Sequence, residues 1–138
     1  MVETFRRELA TRAQGDAHDI TPVVADAVTR SSAAAGIVTV FVVGSTAGVT
    51  TIEFEPGAVS DLNRAFEALA PRAADSRHHL RWGDDNGSSH VRAALLGPSI
   101  MVPFTNRELL LGTWQQIALV EFDTRPRKRE IILQIIGE

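Results

Sequence analysis

Residues 75–116 gather most of the side chains in this sequence that could do chemistry. Three of the four histidines lie there, His78, His79 and His90, together with both tryptophans, Trp82 and Trp114. Before and between the imidazoles run Asp75, Ser76, Arg77, Arg81, Asp84, Asp85, Asn86, Ser88 and Ser89. So polar a run, carrying imidazole and indole together, makes poor core and is too rich for a linker, which marks it as a candidate site. Arg77 and Arg81 stand close to the histidines in sequence and could grip a phosphate by bidentate contacts, or could be ordinary solvated arginines. Asn86 and Gln115 can orient a ligand without charge, because an amide both donates and accepts. The chain has no cysteine, so any metal would need histidine, carboxylate or amide ligands.

A second candidate is Gly44-Ser45-Thr46-Ala47-Gly48, where two hydroxyls and small residues leave backbone N–H groups approachable by an anion such as phosphate. A plain turn before the next strand is the commoner meaning of so short a pattern.

The elements that must position these groups are legible in outline. Residues 4–12 read as a first strand, 15–19 as a turn, and Thr21-Pro22 as a helix start, with Thr21 as cap and Pro22 at the first helical position. Val24, Ala27, Val28, Ser31 and Ala35 share a helical stripe, so the helix is expected to reach about residue 35, where Gly36 can end it. Residues 37–43 are β-branched and almost continuously apolar, which predicts a central strand buried on both faces. A strand over 49–55 and a helix from Pro56-Gly57, with Val59, Leu62, Phe66 and Leu69 on one face, come next. A shorter helix, capped by Asn86 or Ser88 and ended by Gly97-Pro98, would carry His90 in its first turns. The last third reads as strands over 99–103, 108–111, 113–122 and 130–136. Strand 113–122 is expected to be covered on both sides for most of its length, and the last strand has one wholly apolar face.

The chain's 138 residues with 44% hydrophobic content suit one core and are too few for two ordinary domains. The order of elements predicts an α+β fold, a single domain over residues 1–138 with a mixed, mostly antiparallel sheet and two or three helices. A net charge of −3 gives no global attraction to nucleic acid, and the basic cluster at 125–129 reads as a solvated hairpin between strands. No apolar run approaches the ~20 residues that span a bilayer, and the first residues lack the pattern of a signal peptide, so neither membrane nor nucleic acid is an expected partner. Together with the absence of cysteine this makes the cytoplasm the expected location.

At this point the chain resembles the YjbQ family, also called uncharacterised protein family 0047. The resemblance runs through His18-Asp19-Ile20-Thr21, Ser45-Thr46-Ala47, residues 75–78, Asp85-Asn86-Gly87-Ser88-Ser89-His90, Leu96-Gly97-Pro98-Ser99, Leu111-Gly112-Thr113-Trp114-Gln115 and Glu121-Phe122-Asp123. It implies a small α+β protein, a homotrimer, and an activity described as secondary thiamine-phosphate synthase. In that reaction a pyrimidine methyl pyrophosphate joins a thiazole phosphate with loss of pyrophosphate.

The family's His-Thr-Thr-Ala motif corresponds to Gly44-Ser45-Thr46-Ala47, so one histidine of an implied three is replaced by Gly44. The other two correspond to His78 and His90, and the family's tyrosine position is Ser76. His78 and His90 could still hold a divalent metal with a third ligand from Asp75, Asp84, Asp85 or Glu53, or with His79 as a replacement imidazole. Equally, they could work without metal as hydrogen-bonding or acid–base groups, since an ordinary imidazole pKa of about 6.5 suits proton transfer. The expected site is therefore His78, His90, Asn86 and Gln115 for chemistry, with Ser45, Thr46, Arg77, Arg81 and Asp85 for binding. His18 reads as a turn histidine and Trp114 as a packing or subunit-contact aromatic.

Three functions compete at this point: the synthase, a metal- or histidine-assisted phosphate chemistry such as hydrolysis, and a non-catalytic trimeric module that binds an anionic metabolite. If three imidazoles are needed, Gly44→His should raise metal affinity or synthase activity. If glycine instead enlarges the pocket, the same change should weaken ligand binding.

Overall fold

Two antiparallel sheets, packed face to face, organise the chain. The computed structural model describes residues 1–72, 76–83 and 85–138. The strands are β1 (Val2–Thr11), β2 (Ala17–Asp19), β3 (Gly36–Val42), β4 (Ala47–Ile52), β5 (Ser99–Thr105), β6 (Glu108–Leu109), β7 (Gln116–Glu121) and β8 (Arg127–Gly137). One sheet has the order β1-β8-β3-β5-β6 and the other β2-β7-β4. The helices are α1 (Thr21–Arg30), α2 (Pro56–Leu69), α3 (Arg77–Trp82) and α4 (Gly87–Leu96). Among the described residues no helix is long and apolar enough to cross a membrane.

The inner faces of the sheets make the main core. Val38, Val40 and Val42 of β3 and Ile131, Leu133 and Ile135 of β8 pack with Ile117 and Leu119 of β7 and with Val24, Ala27 and Val28 of α1. A second cluster lies across the smaller sheet, where Val120 and Phe122 meet Phe66 of α2 and Ala93 of α4. Strand β7 is thus sandwiched between the two clusters, as its double-sided apolar pattern predicts. The Phe66 and Phe122 rings meet edge to face with centroids 4.9 Å apart.

Several local expectations are corrected. Helix α1 ends at Arg30, because Ser31 turns to extended backbone (ψ 152°) and its hydroxyl accepts the Ala33 N–H. Thr21 does not cap α1. Its Oγ1 accepts the Ile117 N–H at 2.8 Å and so ties the helix to β7. Gly36 starts β3 instead of ending a helix, and a Cβ there would lie 2.2 Å from the Ile136 carbonyl oxygen. The turn at 15–19 contains the short strand β2, paired with β7. A fourth helix, α3, appears where no helix was expected, its first turn closed by the Ser76 hydroxyl accepting the His79 N–H.

Strand β3 is central, yet one of its faces is open: Ile37 and Phe41 are 45% and 38% exposed in the single chain. The register aligns this open face into rows. Val2, Ile136, Ile37 and Pro103 form one, and Arg6, Ile132, Phe41 and Ser99 another.

The basic cluster is solvated as expected over residues 125–128, but it joins strands of two different sheets and its last residue is not solvated. Arg127, Lys128 and Arg129 begin β8, and Arg129 is buried. Its Nε donates to Glu121 Oε1 at 2.7 Å and its Nη2 to Glu121 Oε2 and to Thr46 Oγ1. Glu121 also accepts from the Thr11 hydroxyl and the Asp123 backbone N–H. Thr46 donates to Asp123, which is also paired with Arg127.

Burial alone would raise the Asp123 carboxyl, but the Thr124 N–H, the Thr46 hydroxyl and Arg127 outweigh it and hold its pKa below the ordinary value. A depressed carboxyl contributes stability that is present above its unfolded pKa and is lost as pH falls through the folded one. Urea midpoints should therefore fall as pH drops below about 4, and the fall should be shallower in Asp123→Asn. An equal slope in both proteins would contradict this.

Candidate functional site

Close packing of α3 on α4 brings the two expected histidines together. A Cβ on Gly87 would lie 2.2 Å from Ser76 Oγ and 3.3 Å from His78 Cβ, so only glycine lets the helices approach this near. The His78 and His90 rings lie 4.7 Å apart by centroid and are inclined by 42°. His90, with Ala93 and Ala94 on the same helix, faces Gly44, Ser45 and Ala47 across a cleft of about 250 Å³ that Pro98 closes. The turn after β3 and the histidine helix are thus two walls of one site.

At the start of α4, Asn86 Oδ1, Ser88 Oγ and Ser89 Oγ are buried without a hydrogen-bond partner among the described residues. Three unused polar atoms beside an imidazole pair are a mark of a site that binds something polar. Asp85 lies just before them and accepts the Thr124 hydroxyl at 3.0 Å, which links the loop to the buried network around Asp123.

The remaining expected residues divide. Ser45 is exposed and lines the cleft. Thr46 is buried, and its hydroxyl already serves Arg129 and Asp123, so it braces the turn from behind. Arg77 and Arg81 are exposed on α3 outside the cleft lining, and the Arg81 guanidinium lies over the Trp82 ring at 5.2 Å. Gln115 bridges the Gly112 N–H and the Thr51 hydroxyl, at the opposite end of β4 from the Ser45 turn. That separation is roughly 13 Å along the strand, at ~3.3 Å per residue. Glu53 lies beyond the same far end, so within one chain it cannot join the histidines. Asp75 and Asp84 fall outside the described residues.

Among the described residues no three histidines, aspartates or glutamates converge to hold a metal. The described groups at this site supply two imidazoles and no third ligand, which does not fit a closed metal site.

Sequence reasoning missed Arg129, Glu121 and Arg92. Arg92, also buried, ties α4 to α2 by donating to the Ala70 carbonyl at 2.9 Å and to Glu67. The signal available for Arg129 was its alternation with Ile131, Leu133 and Ile135, which puts it on the apolar face of β8.

The two antiparallel sheets with their covering helices place the chain in the class of small α+β domains, here with His90 facing the turn after the central strand. The chain belongs to one family of that class: the family model described as UPF0047 protein YjbQ-like matches residues 6–138. A UPF0047 protein of Methanothermobacter thermautotrophicus is 35% identical over 99% of this chain and 95% of that one. One from Methanocaldococcus jannaschii is 32% identical over 97% and 94%. The crystal structure of a YbjQ-like protein of unknown function from Sulfolobus solfataricus superposes with a TM-score of 0.90, at 31% identity and over 100% of both chains.

Proposed function

We propose that the cleft between the Gly44–Ala47 turn and α4 binds a small phosphorylated or anionic molecule, and that His78 and His90 transfer protons to or from it. The observation that carries this reading is the imidazole pair, 4.7 Å apart, of which His90 lines a cleft whose opposite wall offers Ser45. The chemistry that the family resemblance implies suits it. As a thiazole nitrogen displaces pyrophosphate from a pyrimidine methyl carbon, a C–N bond forms, a C–O bond breaks, and an imidazolium can protonate the departing oxygen.

A cleft of about 250 Å³ is near the small end of ligand pockets. It suits one small molecule better than two substrates side by side, so a synthase would need a further wall from another copy of the chain. Binding or hydrolysis of a single phosphorylated molecule makes no such demand and is the second reading. A divalent metal would require a ligand beyond the two imidazoles, and the cysteine-free composition supports work in a reducing, cytoplasmic setting.

Calorimetric titration with thiamine phosphate and inorganic pyrophosphate, followed by product analysis, tests the proposal. His90→Ala is expected to lower affinity or turnover at least tenfold while leaving the unfolding midpoint nearly unchanged. Wild-type affinity and turnover in that variant would remove the histidines from the function.

We also propose a homotrimer, built on the open face of the larger sheet. Its support is the alignment of Val2, Ile136, Ile37, Ile132 and Phe41 on that face, apolar groups interleaved with Thr4, Arg6, Thr39 and Gln134 that a second copy would cover. Light scattering should give three times the 15.0 kDa chain mass, and Phe41→Glu should reduce it to one. A monomeric mass for the unaltered protein would refute the trimer.

A further inference from the structure

We infer that Arg129 is the anion anchor of the cleft, offered to the ligand through the space that Gly44 leaves. This rests on the proposal that the cleft takes an anionic molecule. Arg129 comes from β8 and is 6% exposed, held from behind by Glu121 and Thr46 through Nε and Nη2. Its remaining nitrogen, Nη1, makes no hydrogen bond among the described residues. That nitrogen lies 2.6 Å from the point where a Cβ on Gly44 would stand, and Gly44 is itself a wall of the cleft opposite His90. Any side chain at position 44 would therefore occupy the place the guanidinium now takes.

The arrangement has the properties of a preorganised donor. A guanidinium fixed through two of its nitrogens loses little freedom when the third takes an oxyanion. Glu121 neutralises Arg129 and Arg127 neutralises Asp123, so the cluster presents a directed N–H group with no surplus charge. Selectivity should then favour an oxyanion, phosphate or carboxylate, over halide, because the one remaining nitrogen gives a directed, charge-assisted N–H···O bond to a single oxygen. Ser45 and His90 lie on the cleft walls to take the other oxygens. Position 44 becomes the residue that decides specificity: with glycine, the buried arginine reads the ligand's anionic group, and with any larger residue it cannot.

Nitrogen-15 NMR of the intact protein, titrated with inorganic phosphate, tests this directly. The Arg129 guanidinium resonances, assigned by their loss in Arg129→Lys, and the His90 ring resonances should shift together with one midpoint. Gly44→Ala should weaken phosphate binding roughly tenfold or more, the range expected for losing a charge-assisted hydrogen bond. If the His90 ring responds while Arg129 does not, and Gly44→Ala binds like the unaltered protein, the anchor is overturned and the pocket stands. If neither residue responds to phosphate, the pocket reading fails and the anchor with it. Because the titration follows the unaltered protein, a variant that folds poorly does not decide the outcome.

Discussion

Glu121→Ala is expected to lower the free energy of unfolding by about 3–5 kcal/mol, the range for breaking a buried ion pair from one side. Glu121 is fully buried at the end of β7 and receives two nitrogens of Arg129, the Thr11 hydroxyl and the Asp123 N–H. Truncation leaves a buried guanidinium without its counter-charge and the Asp123 N–H without an acceptor, while the Thr11 hydroxyl keeps only the Arg127 carbonyl at 3.3 Å. Urea unfolding followed by circular dichroism measures the loss.

A double-mutant cycle then separates the pair from its parts. Glu121→Leu combined with Arg129→Met should recover most of the stability, because an apolar pair of similar volume does not carry the unpaired charge. The recovered protein should still lack the phosphate response described for Arg129. A Glu121→Ala loss below about 1 kcal/mol, the scale of exposed ion pairs, would mean that water reaches the site and that the network is not buried in solution.

Much of this architecture could be read from the chain, and the part that could not has physical causes. Strand β7 was legible because both of its faces are apolar and both are covered, by the opposite sheet and by α2 with α4. Helix α2 was legible from the spacing of Leu62 and Phe66, and α4 from its terminators. Strand β3 misled for the opposite reason. Its apolar residues predict double burial, but in one chain Ile37 and Phe41 face outward, so the pattern encodes a surface and gives no sign of what covers it.

Helix α3 has only six residues and no buried side chain among them, so hydrophobic periodicity carries no signal there. The site was half legible. His90 and Ser45 line one cleft and His78 lies beside His90, whereas Gln115 and Glu53 are held at the far end of β4 by a strand whose length sequence motifs do not measure. Arg129 was hidden inside a run of basic residues, where composition suggests solvent and only its position in the alternation of β8 suggests burial.

Gly44→His is expected to fail as a restoration of the family's third imidazole. The backbone at Gly44 has φ +128°, a conformation that costs an L-residue on the order of 1–3 kcal/mol. The new Cβ would also fall 2.6 Å from Arg129 Nη1, and that guanidinium is not free to swing, being tied to Glu121 and Thr46. Either the turn must rearrange or the buried pair must break, so stability should fall by about 1–3 kcal/mol or more. Phosphate affinity should fall at least tenfold, because the donor nitrogen is blocked. Affinity for zinc or manganese should not rise, since an imidazole forced onto this backbone is not placed toward His90.

Gly44→Ala supplies the control. It introduces the same backbone strain and the same Cβ without an imidazole, so similar losses in both variants assign the effect to the space at position 44. Calorimetry with metal and with phosphate, alongside urea unfolding, gives all three readings. Tighter metal binding in Gly44→His at unchanged stability would show that the turn relaxes and that a three-histidine centre can be rebuilt. In that event the glycine marks a lost ligand, and the anionic anchor at Arg129 is not what replaced it.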